Sequence, residues 1–95
     1  NAAGVREVGA LFRAEFERLG FATRWVDMPP AMQRAGHLVA ERVGTQGQRV
    51  LLIGHLDTVF EKDCPVPPWQ IDGRRVRGQG VSDMKGGDVI ILLAL

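Results

Sequence analysis

Two short segments of this sequence carry residues that could bind a metal ion. In LLIGHLDTVF, residues 51–60, His55 and Asp57 follow an apolar run. In GQGVSDMKGG, residues 78–87, Asp83 lies between two pairs of glycines. A neutral imidazole nitrogen is the commonest metal ligand in proteins, and carboxylate oxygens bind many of the same ions. Together, the two segments raise the possibility of half a metal site.

The pair His55 and Asp57 has two interpretations. If the chain is still extended there, both side chains project to the same side. Asp57 could then accept a hydrogen bond from the imidazole nitrogen that does not bind a metal, which would fix the tautomer of the ring and raise its basicity. The simpler interpretation is a strand end with ordinary hydrogen-bonded polar caps.

Asp83 also has two interpretations. Gly78 and Gly80 permit a tight, close-approaching backbone before it, so the carboxylate could reach the strand end and bind one metal ion or bridge two. Alternatively, Asp83 or the neighbouring Ser82 caps the following helix. A phosphate-binding loop fits poorly, because such a loop needs Gly-Lys followed by Ser or Thr, whereas Lys85 precedes two glycines.

The helices and strands that must position these residues are predicted from the periodicity of apolar residues and from the positions of glycine and proline. Apolar residues at helical spacing predict an amphipathic helix over 4–19, which Gly20 ends in the left-handed conformation. Strands are predicted over 21–26 and 37–43, and the second forms a hairpin through GTQGQ with a strand over 49–55. The continuous apolar run 50–53 is typical of a strand covered on both faces.

The second half of the chain is predicted to be richer in loops. A loop covers 61–68, and a short hairpin covers 69–78 with Asp72-Gly73 as its turn. The segment from Asp88 starts either a helix or a buried strand, and the start signals before it favour a helix. This order predicts an α/β fold with a mixed β-sheet flanked by helices. Ligands in such sheets bind at the carboxyl ends of central strands, where His55 and Asp57 lie.

Composition narrows the class of protein. The 95 residues are 45% hydrophobic and 24% charged, which is typical of a globular chain. The net charge of +1, from 12 basic and 11 acidic residues, gives no reason to expect a nucleic-acid or membrane partner. A single cysteine precludes an intrachain disulfide, which slightly favours a cytoplasmic over a periplasmic location. Both ends look cut, so a fragment of a longer protein is expected.

The two motifs together resemble those of the zinc-dependent aminoacylase and carboxypeptidase G family of metallopeptidases. That family includes glutamate carboxypeptidases, acetylornithine deacetylase and succinyl-diaminopimelate desuccinylase. GHLDTVF resembles its apolar strand ending in His-x-Asp, and GQGVSDMKGG resembles its Gly-x-Gly motif ending in Asp-Asp/Met-Lys-Gly-Gly. The resemblance spans roughly residues 5 to 95.

The resemblance implies a role for each matching residue. His55 would be a ligand of one zinc ion, Asp83 would bridge two zinc ions, and Asp57 would orient and polarise His55 as a catalytic-site residue. The peptide bond between Asp83 and Met84 would be cis. The implied reaction is hydrolysis of an amide bond in a peptide or N-acyl amino acid, with zinc as cofactor and cobalt as a substitute.

The chain also departs from the family pattern. It ends before the family's Glu-Glu pair, its later acidic ligand, its final histidine and its lid or dimerisation domain. Residues 1–95 are therefore expected to form the amino-terminal part of a catalytic domain, inactive alone, from a parent that is a homodimer. Glutamate carboxypeptidase-like activity is expected first and acetylornithine deacetylase-like activity next. A non-catalytic binding or scaffold domain of the same fold is the alternative, and a nucleotide-binding α/β domain ranks below it.

Overall fold

A computed structural model describes residues 1–60, 63–65 and 68–95 of the chain. The loop predicted over 61–68 lies partly outside the described residues. The described chain forms two units, one of Asn1–Leu52 together with Leu95 and one of Ile53–Ala94. They are called the amino-terminal and carboxyl-terminal units below.

The amino-terminal unit begins with helix α1, Ala2–Arg18. The Asn1 side chain accepts a hydrogen bond from the backbone N–H of Gly4 at 3.2 Å, and this caps the first turn. Gly20 follows the helix with a φ of 82°, as predicted from its position. The predicted helix over 4–19 is confirmed with boundaries shifted by a residue or two.

Strands β1, Ala22–Val26, and β2, His37–Glu41, pair in antiparallel register and pack against α1. Phe16 and Phe21 meet edge to face with ring centroids 5.6 Å apart. The Arg6 guanidinium lies 4.3 Å from the ring centroid of Trp25 and also pairs with Asp27. Aromatic and cationic side chains thus join the helix to its hairpin.

The predicted hairpin between 37–43 and 49–55 is wrong. Strand β2 pairs with β1 instead, and residues 49–55 form no strand. A strand needs a neighbour to satisfy its backbone hydrogen bonds, and the described residues supply none to this segment. Accordingly, the run Val50–Ile53 is exposed rather than covered on both faces, and Leu51 is 81% exposed.

The carboxyl-terminal unit contains a second antiparallel hairpin, formed by β3, Gln70–Asp72, and β4, Arg75–Arg77. Its loop is Gly73-Arg74, one residue later than predicted, because Asp72 still pairs with Arg75. Gly73 has a φ of 56°, a conformation that two-residue hairpin loops require and glycine adopts without cost. The hairpin itself is therefore confirmed.

The glycine-rich segment leads through an irregular turn, Val81–Lys85, into helix α2, Gly86–Ala94. Within the turn, Asp83 and Met84 have non-helical backbone angles, and the peptide bond between them is cis. The cis bond implied by the family resemblance is therefore present. The helix predicted from Asp88 is confirmed and begins two residues earlier.

Hydrophobic side chains are half-buried or exposed throughout the described residues, and none is fully buried. Both described sheets are antiparallel and two-stranded. Helices with small antiparallel sheets are compatible with an α/β fold, but the mixed sheet expected from the sequence is not seen in the described residues. No helix in the described part of the chain is long and apolar enough to span a bilayer.

Candidate metal centre

The candidate site lies in the carboxyl-terminal unit, where the His55 imidazole contacts two carboxylates. Its Nδ1 atom lies 3.1 Å from Oδ1 of Asp57, and its Nε2 atom lies 2.8 Å from Oδ1 of Asp83. Both distances are within hydrogen-bond range. The structure thus brings together all three residues singled out in the sequence.

The glycine loop places Asp83 opposite His55. Gly80 has a φ of 73°, and a Cβ atom there would lie 2.7 Å from Cγ2 of Thr58. The backbone N–H of Lys85 donates to the carbonyl oxygen of Gly80 at 2.8 Å, which closes the turn containing Asp83. A residue without a side chain at position 80 therefore lets the loop approach the 55–58 segment closely.

The site remains open to solvent. The side chains of Asp57 and Asp83 are 64% and 66% exposed, and that of His55 is 41% exposed. Packing therefore does little to hold the three side chains, and hydrogen bonds must define their arrangement. The Asp83 carboxylate contacts His55, which favours the interpretation of Asp83 as a site residue over its interpretation as a helix cap.

The two carboxylates favour a positive charge at His55. The hydrogen bond with Asp83 raises the pKa of the imidazole above its usual 6.5, partial desolvation lowers this pKa, and the bond with Asp57 raises it again. A neutral imidazole has one N–H and can donate to only one of the two carboxylates. The other ring nitrogen then faces an acceptor, so the arrangement is satisfied by a proton or by a metal cation.

Two side chains not anticipated from the sequence, those of Lys85 and Gln79, join the loop to the 55–60 segment. The Lys85 ammonium donates to the backbone carbonyl oxygens of Leu56 at 2.7 Å and Asp57 at 3.1 Å. The Gln79 amide donates to Oγ1 of Thr58 at 3.1 Å and to the carbonyl oxygen of Phe60 at 3.4 Å. Nothing in the spacing of these residues predicts the contacts, because they depend on how the loop folds back.

Asp88 was also missed as a residue near the site. It lies in the first turn of α2 and is only 6% exposed, and its Oδ2 atom has no hydrogen-bond partner among the described residues. Burial raises the pKa of this carboxyl, while the charges of Lys85 and His55 oppose the shift. Its Oδ1 atom packs against Gly54, where a Cβ atom would collide with it. The glycine at position 54 therefore makes room for a buried carboxylate beside the His55 segment.

The donor chemistry fits part of a zinc site. An imidazole nitrogen and a carboxylate oxygen are both zinc ligands, and an imidazole held by a carboxylate through its other nitrogen is the usual outer-shell arrangement. The described residues contain no group of three or more histidine, cysteine, aspartate or glutamate side chains that could hold a metal ion. The assignments of His55 and Asp83 as ligands and of Asp57 as the orienting residue remain predictions.

The His55 imidazole thus lies between the Asp57 carboxylate of its own segment and the Asp83 carboxylate of the glycine loop, a set of side chains that suits a metal cation better than a phosphate. The chain is similar to carboxypeptidase G2 of Pseudomonas sp. (strain RS-16), with 31% identity over 101 aligned residues. The alignment covers 100% of this chain and 23% of that protein. The similarity supports a relationship to carboxypeptidase G-like peptidases and hence to hydrolases. No family model matches the chain, and a search of solved structures found no significant match.

Proposed function

We propose that residues 1–95 form the amino-terminal part of the catalytic domain of a zinc-dependent hydrolase that cleaves an amide bond. The proposal is carried by the His55 imidazole, which contacts Asp57 through Nδ1 and Asp83 through Nε2. The similarity to carboxypeptidase G2 supports it. The finer fold that we propose is the mixed-sheet α/β domain of zinc peptidases, completed by segments outside these residues.

Each of the three side chains has a distinct task in this proposal. Nε2 of His55 and the Asp83 carboxylate would hold zinc, and the Asp83 carboxylate would be shared with a second ion. Asp57 accepts the Nδ1–H of His55, which leaves Nε2 unprotonated and able to bind a metal. When bound, zinc would polarise the substrate carbonyl and lower the pKa of water.

The chain offers too few ligands to act alone. A catalytic zinc normally has three protein ligands, whereas His55 and Asp83 supply two. The remaining ligands and the general base are therefore proposed to come from residues beyond this chain. We propose that the 95-residue chain by itself is inactive, and that the parent protein is a homodimer.

The proposed substrate is a peptide or N-acyl amino acid. Carboxypeptidase G-like release of a carboxyl-terminal amino acid is the first candidate, because the relative is named for such an activity. Deacylation of an N-acyl amino acid such as acetylornithine is the next candidate within the same reaction class. Both leave an amino acid with a free carboxylate.

A non-catalytic binding domain of the same fold is the second candidate function. It is favoured by one observation, namely that the described residues contain no complete set of three metal-binding side chains. Such a domain would keep the hydrogen bonds among His55, Asp57 and Asp83 but would show no chelator-sensitive turnover.

The test is amide hydrolysis by the protein expressed from its complete gene and loaded with zinc. Substrates are a peptide ending in glutamate, an N-acyl glutamate and N-acetylornithine. We expect chelator-sensitive release of the amino acid from at least one of them. His55→Ala should lower kcat/KM more than about 100-fold, because loss of a ligand should exceed the 10–100-fold effect of an outer-shell partner.

His37→Ala is the matched control, since His37 is the other histidine of the sequence. It lies at the start of β2 in the amino-terminal unit, whereas the candidate site residues belong to the carboxyl-terminal unit. This variant should retain the activity of the unmodified protein. Absence of hydrolysis of every substrate, or full activity of His55→Ala, would refute the proposed function.

A further inference from the structure

Lys85 contacts the backbone at the two peptide groups that flank the Cα atom of Asp57. Its ammonium lies 2.7 Å from the carbonyl oxygen of Leu56 and 3.1 Å from that of Asp57. The orientations of these two peptide planes set the φ and ψ angles of Asp57. The same ammonium therefore restrains the direction in which the Asp57 carboxylate leaves the backbone.

The backbone of Lys85 is also held by a hydrogen bond. Its backbone N–H donates to the carbonyl oxygen of Gly80 at 2.8 Å, within the turn that carries Asp83. Lys85 follows Asp83 by two residues, and its side chain is half-buried rather than free in solvent. One residue thus connects the turn bearing Asp83 with the segment bearing His55 and Asp57.

Alternative means of holding this segment are weak. The side chains of Asp57 and Asp83 are largely exposed and that of His55 is half-buried, and no hydrophobic side chain in the described residues is fully buried. Hydrogen bonds from a charged donor are stronger than those between neutral groups. The two bonds from Lys85 are therefore expected to restrain the backbone of the segment more than the neutral amide of Gln79 does at Thr58.

We propose that Lys85 is a positioning residue, which holds the backbone at Leu56 and Asp57 so that the His55 imidazole faces Asp83. In this role Lys85 acts through the two carbonyl oxygens rather than by binding substrate or metal. Only the part of the inference that concerns zinc affinity rests on the proposed function. The structural part concerns the contact between His55 and Asp83 and can be tested in the metal-free protein.

The experiment compares four forms of the protein expressed from its complete gene: unmodified, Lys85→Met, Lys85→Arg and Arg74→Met. Methionine keeps an unbranched stem and removes the ammonium, whereas arginine keeps the charge and the N–H donors. Arg74→Met is the control for loss of one positive charge, because Arg74 lies in the exposed loop of the β3–β4 hairpin.

The first readout is the ring-nitrogen NMR spectrum of selectively ¹⁵N-labelled histidine in the metal-free protein. His55 and His37 are the only two histidines, so His37 serves as an internal reference. In the unmodified protein we expect His55 signals of a ring that is hydrogen-bonded at both nitrogens. Lys85→Met should move them toward free imidazole, while Lys85→Arg and Arg74→Met should leave them near their original positions.

The second readout is zinc affinity, measured by competition with a fluorescent chelator. Lys85→Met should weaken binding at least tenfold, as expected for loss of an outer-shell contact. Lys85→Arg should restore affinity to within about threefold, and Arg74→Met should match the unmodified protein. A role in general stability alone would not give selective movement of the His55 signals with rescue by arginine.

The outcomes separate the two proposals. Unchanged His55 signals in Lys85→Met would overturn the positioning role, whether or not zinc binds. Failure of the unmodified protein to bind zinc would refute the proposed function, while the NMR comparison would still decide the role of Lys85. If Lys85→Met loses helix content by circular dichroism, Lys85→Gln takes its place. It should move the His55 signals and weaken zinc binding in the same way, and unchanged His55 signals would again overturn the positioning role.

Discussion

Gly54→Ala tests the packing behind the candidate site. A Cβ atom at position 54 would collide with Oδ1 of Asp88 and would lie 3.4 Å from Cε of Met84. Asp88 is 6% exposed and lies in the first turn of α2, so its carboxylate has little room to move. Overpacking of this kind typically costs about 1–3 kcal/mol.

The assay is hydrogen–deuterium exchange of peptides that cover α2, Gly86–Ala94, because exchange reports the free energy of local opening. A loss of about 1–3 kcal/mol should speed exchange there by roughly 5- to 140-fold. Gly44→Ala is the matched control, since a Cβ atom at position 44 would have its nearest neighbour 3.8 Å away. It should leave exchange in α2 unchanged.

The double variant Gly54→Ala/Asp88→Ala identifies the cause of the change. Removing the Asp88 carboxylate should relieve the collision, so Gly54→Ala should have little effect in the Asp88→Ala background. An equally large effect of Gly54→Ala in both backgrounds would refute the packing argument, as would an α2 that exchanges normally in Gly54→Ala.

Two further predictions concern the candidate site. Asp57→Asn should weaken zinc binding about 10- to 100-fold in chelator competition, because the anionic acceptor at Nδ1 of His55 is lost. The control Asp72→Asn, at an exposed position of β3, should leave zinc affinity unchanged. Equal zinc affinities of the two variants would contradict the assigned role of Asp57. In the metal-free protein, an NMR titration should give His55 a pKa above 6.5. The contribution of His55 to the free energy of unfolding should therefore be complete below pH 6.5 and be lost as the pH rises through the raised pKa. Asp83→Asn should lower this midpoint, since the bond with Asp83 is the largest cause of the shift, and an unchanged midpoint would contradict that cause.

Local elements were predictable from the sequence because their signals are local. The helical spacing of apolar residues and the position of Gly20 predicted α1, which the structure confirms as Ala2–Arg18. The Asp-Gly pair at 72–73 predicted the second hairpin, although its loop lies one residue later. Periodicity and turn chemistry act over a few residues and need no distant partner.

Pairing over longer distances was not predictable in the same way. The run Val50–Ile53 has the composition of a buried strand, yet a strand forms only beside another strand, and β2 pairs with β1. An apolar pattern therefore indicates a preference without specifying the partner.

The residues of the candidate site were predictable from the sequence, but the residues that hold them in place were not. His55, Asp57 and Asp83 stand out because imidazole and carboxylate groups beside glycines suggest metal chemistry, and the structure brings them into contact. Lys85 and Asp88 do not stand out in this way. A lysine contacting two carbonyl oxygens and a carboxylate packed against Gly54 follow from the path of the loop, which no residue spacing reveals.

The most direct test of the central claim is the zinc content per chain, measured by elemental mass spectrometry on the protein expressed from its complete gene. The unmodified protein and the His37→Ala control should each hold about two zinc ions after loading, as a dinuclear hydrolase requires. The double variant His55→Ala/Asp83→Ala should lose zinc. Absence of zinc from the unmodified protein, or equal zinc content in the double variant, would contradict the account and favour a binding domain that uses the same fold without a metal.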